Sequence, residues 1–269
     1  MKKCFISALF FLLMCFMLSS CTSKEAKEVI NQIKALKTIE IDANSIKDLE
    51  NISTSYDKLD EKEKKAIKNY EILENAYDSY YHAVAEDFDN KVVETSKDIN
   101  SDSYDKLEAL LSKYEEYNET IQNYITKKGV LINSLEKSKK IKVESVVETV
   151  LSYKNDETDS AMELIKQYGS IMNEEQKQKC LISFGQWESV NKAEEKIISR
   201  LKSPRSYYRY NCKVKEPMEK SDGTYHVYLM FEYGATNSFG GEVKETRLVV
   251  CIFRINTELL SVTFEDVAI

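Results

Sequence analysis

The segment "RLKSPRS", Arg200 to Ser206, divides the chain into two kinds of sequence. From residue 22 to 203 there is no proline and only three glycines, Gly129, Gly169 and Gly185. Beyond it lie both prolines, Pro204 and Pro217, and four glycines, Gly223, Gly234, Gly240 and Gly241. Proline removes a helical donor and glycine costs about 1 kcal/mol inside a helix, so the asymmetry predicts a helical region followed by a turn-rich one. The expected fold class is α+β, with N-terminal helical repeats followed by a small four-stranded antiparallel sheet packed on a helix. The expected boundaries are a leader over 1–20, helical repeats over 21–201 and the sheet domain over 202–269.

Downstream of the divide the apolar period is two. In "TYHVYLMFEYG", Tyr225, Val227, Leu229, Phe231 and Tyr233 share one face, while His226, Tyr228, Met230 and Glu232 share the other. "TRLVVCIFRI" is nearly all apolar and "LLSVTFEDV" alternates again, with "KSDGTY" and "GATNSFGGE" as the turns between. Strands are expected at about 207–217, 224–234, 244–255 and 259–267, with the helix ending near Leu201 covering one face. The turn "GATNSFGGE" is a possible binding loop formed by Phe239, Gly240 and Gly241, because the glycine pair permits positive φ and close backbone approach. Two readings of Phe239 stay open: an exposed anchor, or a ring folded back onto the sheet.

Upstream, apolar residues recur at steps of three and four. Ile67, Tyr70, Leu73, Tyr77, Tyr80, Tyr81, Val84 and Phe88 form one stripe, and Leu107, Leu110, Leu111, Tyr114, Tyr117, Ile121 and Tyr124 form another. The pattern is repetitive: "YDKLDEKEKKAIKNYEIL" from Tyr56, "YEEYNETIQNYITKKGVLI" from Tyr114 and "YGSIMNEEQKQKCLISFGQW" from Tyr168 align. Each has a tyrosine, an apolar residue three later, then Asp or Asn followed by Glu. Asp60 with Glu63 and Asn173 with Gln176 have capping-box spacing, so each copy predicts helix, tight turn, helix. The first copy, residues 28 to 76, is similar to small three-helix modules found in tandem on Gram-positive surface proteins, and the other copies are so more weakly. That resemblance implies an arrangement, spacer or binding module, rather than a ligand. The C-terminal segment resembles domains of clostridial-type lipoproteins, which implies no activity.

The chain opens "MKKCFISALFFLLMCFMLSSC": two lysines, an uncharged apolar block from Phe5 to Leu18, then two serines. These are the parts of an export signal, and 14 apolar residues fall short of the roughly 20 that span a bilayer. Leu18, Ser19, Ser20 and Cys21 resemble the lipobox of bacterial lipoproteins. The resemblance implies signal recognition through Leu18, Ser19 and Ser20, and diacylglyceryl attachment at Cys21 with cleavage before it. Two acyl chains give lasting attachment at about 0.8 kcal/mol per buried methylene. The expected location is therefore the outer face of the cell membrane, lipid-anchored.

The formal charge is −7, and removing Lys2 and Lys3 with the leader brings it to −9. Such a surface argues against a general nucleic-acid binder, which needs clustered cations to displace phosphate counterions. Cys180, Cys212 and Cys251 have no C-x-x-C spacing and only His82 and His226 accompany them, so no thiol or imidazole metal site is expected. Cys212 and Cys251 fall in strand-like segments and could pair. Asp98, Asn100 and Asp102 have the opening spacing of a calcium loop, but Ser103 replaces its glycine and Ala109 its closing glutamate; a helix-capping turn accounts for the same residues. No nucleophile, base and orienter set, phosphate loop or metalloprotease motif is present, so no catalytic residue and no cofactor is expected. "RLKSPRSYYRYNCKVK" interleaves Arg200, Lys202, Arg205, Arg209, Lys213 and Lys215 with Tyr207, Tyr208 and Tyr210. It suggests either an anionic wall polymer as partner or a strand face balanced by acids. The functional expectation is a non-enzymatic, membrane-anchored binding or scaffold protein whose partner is an envelope protein or such a polymer. The solute-binding component of a transporter is the alternative.

Overall fold

The computed structural model describes residues 23–237, 239–255 and 259–265. Leu18, Ser19, Ser20 and Cys21 lie outside these residues. The described chain is helical up to Arg200 and then forms an antiparallel sheet, the expected α+β order. It packs as two compact units, one holding the described residues up to Ile99 with Asp105–Leu135, the other Asn100–Tyr104 with Glu136–Ile269.

The first unit holds α1 (Lys24–Ala35), α2 (Ile46–Asp57), α3 (Glu61–Ala66), α4 (Tyr70–Thr95), most of α5 (Ser103–Glu116), α6 (Glu119–Tyr124) and the start of α7 (Lys128–Ser152). The repeat is sharper in space than in sequence. Leu59 N–H donates to Tyr56 O at 3.0 Å, and 58 residues later Tyr117 N–H donates to Tyr114 O at 3.3 Å. Asp60 then caps α3 in a complete capping box, and Asn118 caps α6 by accepting from Ile121 N–H at 2.9 Å. Both short helices end on a buried isoleucine in extended conformation, Ile67 (φ −81°, ψ 95°) and Ile125 (φ −69°, ψ 119°). A long helix follows each, α4 and α7.

The expected continuous stripes therefore break, at Ile67 in the first copy and at Tyr117–Asn118 in the second. The extended isoleucine points into the core, and the next helix starts in a new direction. In the first core Ala26, Val29 and Ile33 of α1 meet Leu49, Ile52, Leu59, Ile67, Leu73 and Ala76. In the second, Ala85, Phe88 and Val92 at the C-terminal half of α4 take the places of Ala26, Val29 and Ile33, and Leu107, Tyr114, Ile125 and Leu131 complete it. One long helix thus closes one three-helix core and opens the next. Asp89 joins the two roles: its carboxylate accepts from Thr126 N–H (3.0 Å), Thr126 hydroxyl (2.6 Å) and Lys127 N–H (2.9 Å), capping α7 from α4.

The residues with calcium-loop spacing form a turn already used one copy earlier. Asn44 N–H donates to Asp42 and Asp42 N–H to Ser45 Oγ; likewise Asp102 N–H donates to Asn100 and Asn100 N–H to Ser103 Oγ, all at 2.9–3.0 Å. Among the described residues no group of three or more His, Cys, Asp or Glu is placed to hold a metal. None of the described helices is long and apolar enough to cross a membrane.

In the second unit α8 (Thr158–Tyr168) leads through a turn to α9 (Glu174–Arg200). Ile171 N–H donates to Tyr168 O at 3.0 Å and Asn173 forms the capping box with Gln176, so the third copy repeats the turn. Here no extended residue interrupts the helix, and buried Cys180 continues it seven residues after the cap. The sheet has the order β1 (Tyr208–Val214), β3 (Thr224–Thr236), β4 (Glu242–Arg254), β5 (Leu259–Glu265), with β2 (Met218–Glu219) also on β3. Tyr225, Val227, Leu229, Phe231 and Tyr233 face α9, where Val190, Ala193 and Ile197 meet them with Val249, Cys251 and Phe253. Residue 202 thus marks the change from helix to strand, while packing joins α9 to the sheet. All three described cysteines are free. Cys212 pairs in register with Phe231 and Cys251 with Val227, on opposite sides of β3. Two strand spacings, about 9.6 Å, already exceed the Cα separation a disulfide spans.

Candidate functional site

The β3–β4 hairpin ends in a tightly tied turn. Asn237 N–H donates to Gly241 O at 2.8 Å and Gly240 N–H to Asn237 O at 3.1 Å, while Asn237 Oδ1 accepts from Phe239 N–H (2.9 Å) and Gly241 N–H (3.0 Å). Gly240 sits at φ +80°, where a side chain would be strained. The turn turns Phe239 outward, 95 % exposed. The folded-back reading of Phe239 is thereby replaced by the exposed one. Asn237 gathers the turn by accepting from two of its backbone N–H groups, which places Phe239 at the outer tip.

Two tyrosines of β1 stand behind the hairpin tip, Tyr208 two register steps back from the Thr236–Glu242 pair that flanks the turn. Tyr208 lies opposite Gly234 on the sheet face away from α9, and a Cβ on Gly234 would stand 2.8 Å from its ring. Glycine there lets the ring lie against the strand. A bulge follows Arg209 and carries Tyr210 to the same face. The two rings meet edge to face at 4.6 Å and are 43 % and 45 % exposed. Both hydroxyls donate to the Glu242 carboxylate, Tyr210 at 2.7 Å. These bonds hold the Glu242 carboxyl below its usual range and push the Tyr208 phenol above its own. Lys244 Nζ stands 4.8 Å from the Tyr210 ring centre and 3.9 Å from Glu232. The result is a pair of exposed rings around one fixed carboxylate.

Of the expected site residues, Phe239, Gly240 and Gly241 come together in the turn. The basic and aromatic stretch divides. Tyr207 hydroxyl and Arg209 both bond Glu194 of α9, at 2.7 and 2.9 Å, so they fasten β1 to the helix. Burial and the Glu194 carboxylate together raise the Tyr207 phenol far above its ordinary value. Arg200 stacks on Phe264 at 4.1 Å. Glu242 escaped sequence reading; its position directly after the glycine pair, at the mouth of a hairpin, is the signal that could have found it. Burial pushes the Cys212 thiol up to about 11 and Cys251 up to about 12, so neither is a ready nucleophile near neutral pH. No known family, no curated protein and no solved structure matches this chain.

Proposed function

We propose that this chain is a lipid-anchored, non-enzymatic binding protein of the outer membrane face, joined to the bilayer through Cys21 and binding an envelope component with its C-terminal sheet. The observation that carries the binding role is Phe239, 95 % exposed at the tip of a turn tied by backbone and side-chain bonds. An isolated exposed apolar residue needs no explanation, but one on a tied turn of a hairpin whose Glu242 also holds two exposed tyrosines marks an interaction site. The anchor rests on the "LSSC" sequence. In keeping with it, Ser23 already caps α1 by accepting from Ala26 N–H at 3.0 Å, two residues past Cys21. The repeats then lie between anchor and sheet along the chain.

Two measurements test the halves separately. Cells fed a tagged fatty acid should label the protein and retain it in the membrane fraction, and Cys21→Ser should lose both. An unlabelled wild-type protein ends the anchoring reading. A photo-crosslinker at position 239, on intact cells, should capture an envelope component. Capture equal to that from a crosslinker on the far face of α2 ends the binding reading.

A further inference from the structure

We infer that the patch of Tyr208 and Tyr210 around Glu242, at the base of the hairpin whose tip carries Phe239, takes a neutral glycan, an inference that rests on the hairpin being the binding element. The argument starts from charge. Two carboxylates, Glu232 and Glu242, share this sheet face with one ammonium, Lys244, which lies over the Tyr210 ring and near Glu232. A phosphate- or carboxylate-bearing polymer would approach a patch without excess positive charge and meet Glu242 at its centre. Arg209, the cation between the two tyrosines in sequence, is spent on Glu194.

Desolvation decides between the remaining ligands. An apolar protein surface laid on the rings would bury the Glu242 carboxylate with only two phenol donors, and a buried charge short of partners is costly. A sugar avoids that cost. Its C–H faces cover aromatic rings while its hydroxyls donate to the carboxylate and accept from the ammonium. The exposed rings of Tyr208 and Tyr210 offer apolar surface, each with a polar end already fixed. The Tyr208 and Tyr210 hydroxyls are already bonded to Glu242, and Phe239 stands at the tip of the same hairpin on a backbone that is tied down.

The test uses the full lipidated chain in detergent micelles, passed over an array of neutral oligosaccharides of gluco, galacto, manno and N-acetylated configuration. Retention on at least one series is expected. Phe239→Ala, Tyr210→Ala and Glu242→Gln should each weaken it by about tenfold, with the circular dichroism spectrum unchanged. No retention on any series overturns the inference, as does retention that all three variants leave intact. If the array fails while crosslinking from position 239 still captures a protein, the glycan is wrong and the hairpin reading stands. If both fail, both fall.

Discussion

Gly129 and Gly185 are both helical glycines, yet replacing each by alanine should have opposite results. At Gly129, in the first turn of α7, a Cβ meets nothing within 4 Å. Gly129→Ala should therefore raise stability by about 0.5–1 kcal/mol, read as a higher urea midpoint. At Gly185 a Cβ would stand 2.3 Å from the Phe253 ring, so the close seating of α9 on β4 depends on its absence. Gly185→Ala should cost about 1–3 kcal/mol in spite of its better helix propensity. A stabilised G185A would show that α9 does not lie on that ring. Nothing in the sequence separates these two glycines, because the difference belongs to a residue 68 positions away. The alternation of β3 was legible for the contrary reason: which face is buried follows from the neighbours in the strand itself.

At the scale of elements, the turns of the repeat were readable because their chemistry is local. Asp60 with Glu63 and Asn173 with Gln176 form the boxes their spacing predicts, and Asn118 caps without a reciprocal partner. Asn118→Ala and Asn173→Ala should each cost about 1 kcal/mol, measured by chemical denaturation. Asp89→Ala should cost more, about 1–3 kcal/mol, since three donors at the start of α7 lose a charged acceptor at once. An effect below that of Asn118→Ala would mean that α7 caps itself. This bond was not legible: Asp89 and Thr126 are 37 positions apart and the stripe of α4 reads the same without it. Nor was the break at Ile67, where apolar periodicity runs on while the backbone leaves the helix. Burial of the isoleucine decides there, and period alone does not report direction.

For the molecule as a whole, the clearest expected response is to alkali. Buried Cys251 is held protonated up to about 12 and Cys212 up to about 11, whereas a thiol in the unfolded chain ionises near 8.5. Both folded values are raised, so their contribution is complete below about pH 8.5 and is lost as pH climbs toward 11–12. For Cys251 the loss by pH 10 is about 2 kcal/mol. Unfolding free energy should therefore fall between pH 8 and pH 10, and Cys251→Ala should lessen that fall even though it lowers stability at neutral pH. An unchanged slope in C251A would mean that the thiol is open to water. The grouping of the chain was the least legible feature at this scale. Proline and glycine locate the change from helix to strand near residue 202, and the apolar face of the meander called for the helix ending near Leu201 as its cover, where α9 lies; that Asn100–Tyr104 and α8 group with this sheet had no signal in the sequence.

The recurrence of the same cap and the same extended isoleucine 58 residues apart has a genetic corollary. Residues 70–127 begin and end at equivalent junctions, so recombination can excise or duplicate that stretch in frame. After excision α7 would follow Ile67 across Lys68 and Asn69, as α4 does, offering Leu131 where α4 offers Leu73. Such a deletion should express as a cooperatively melting helical protein, and alleles of this gene would then vary in copy number while α1 to α3 and the sheet stay constant.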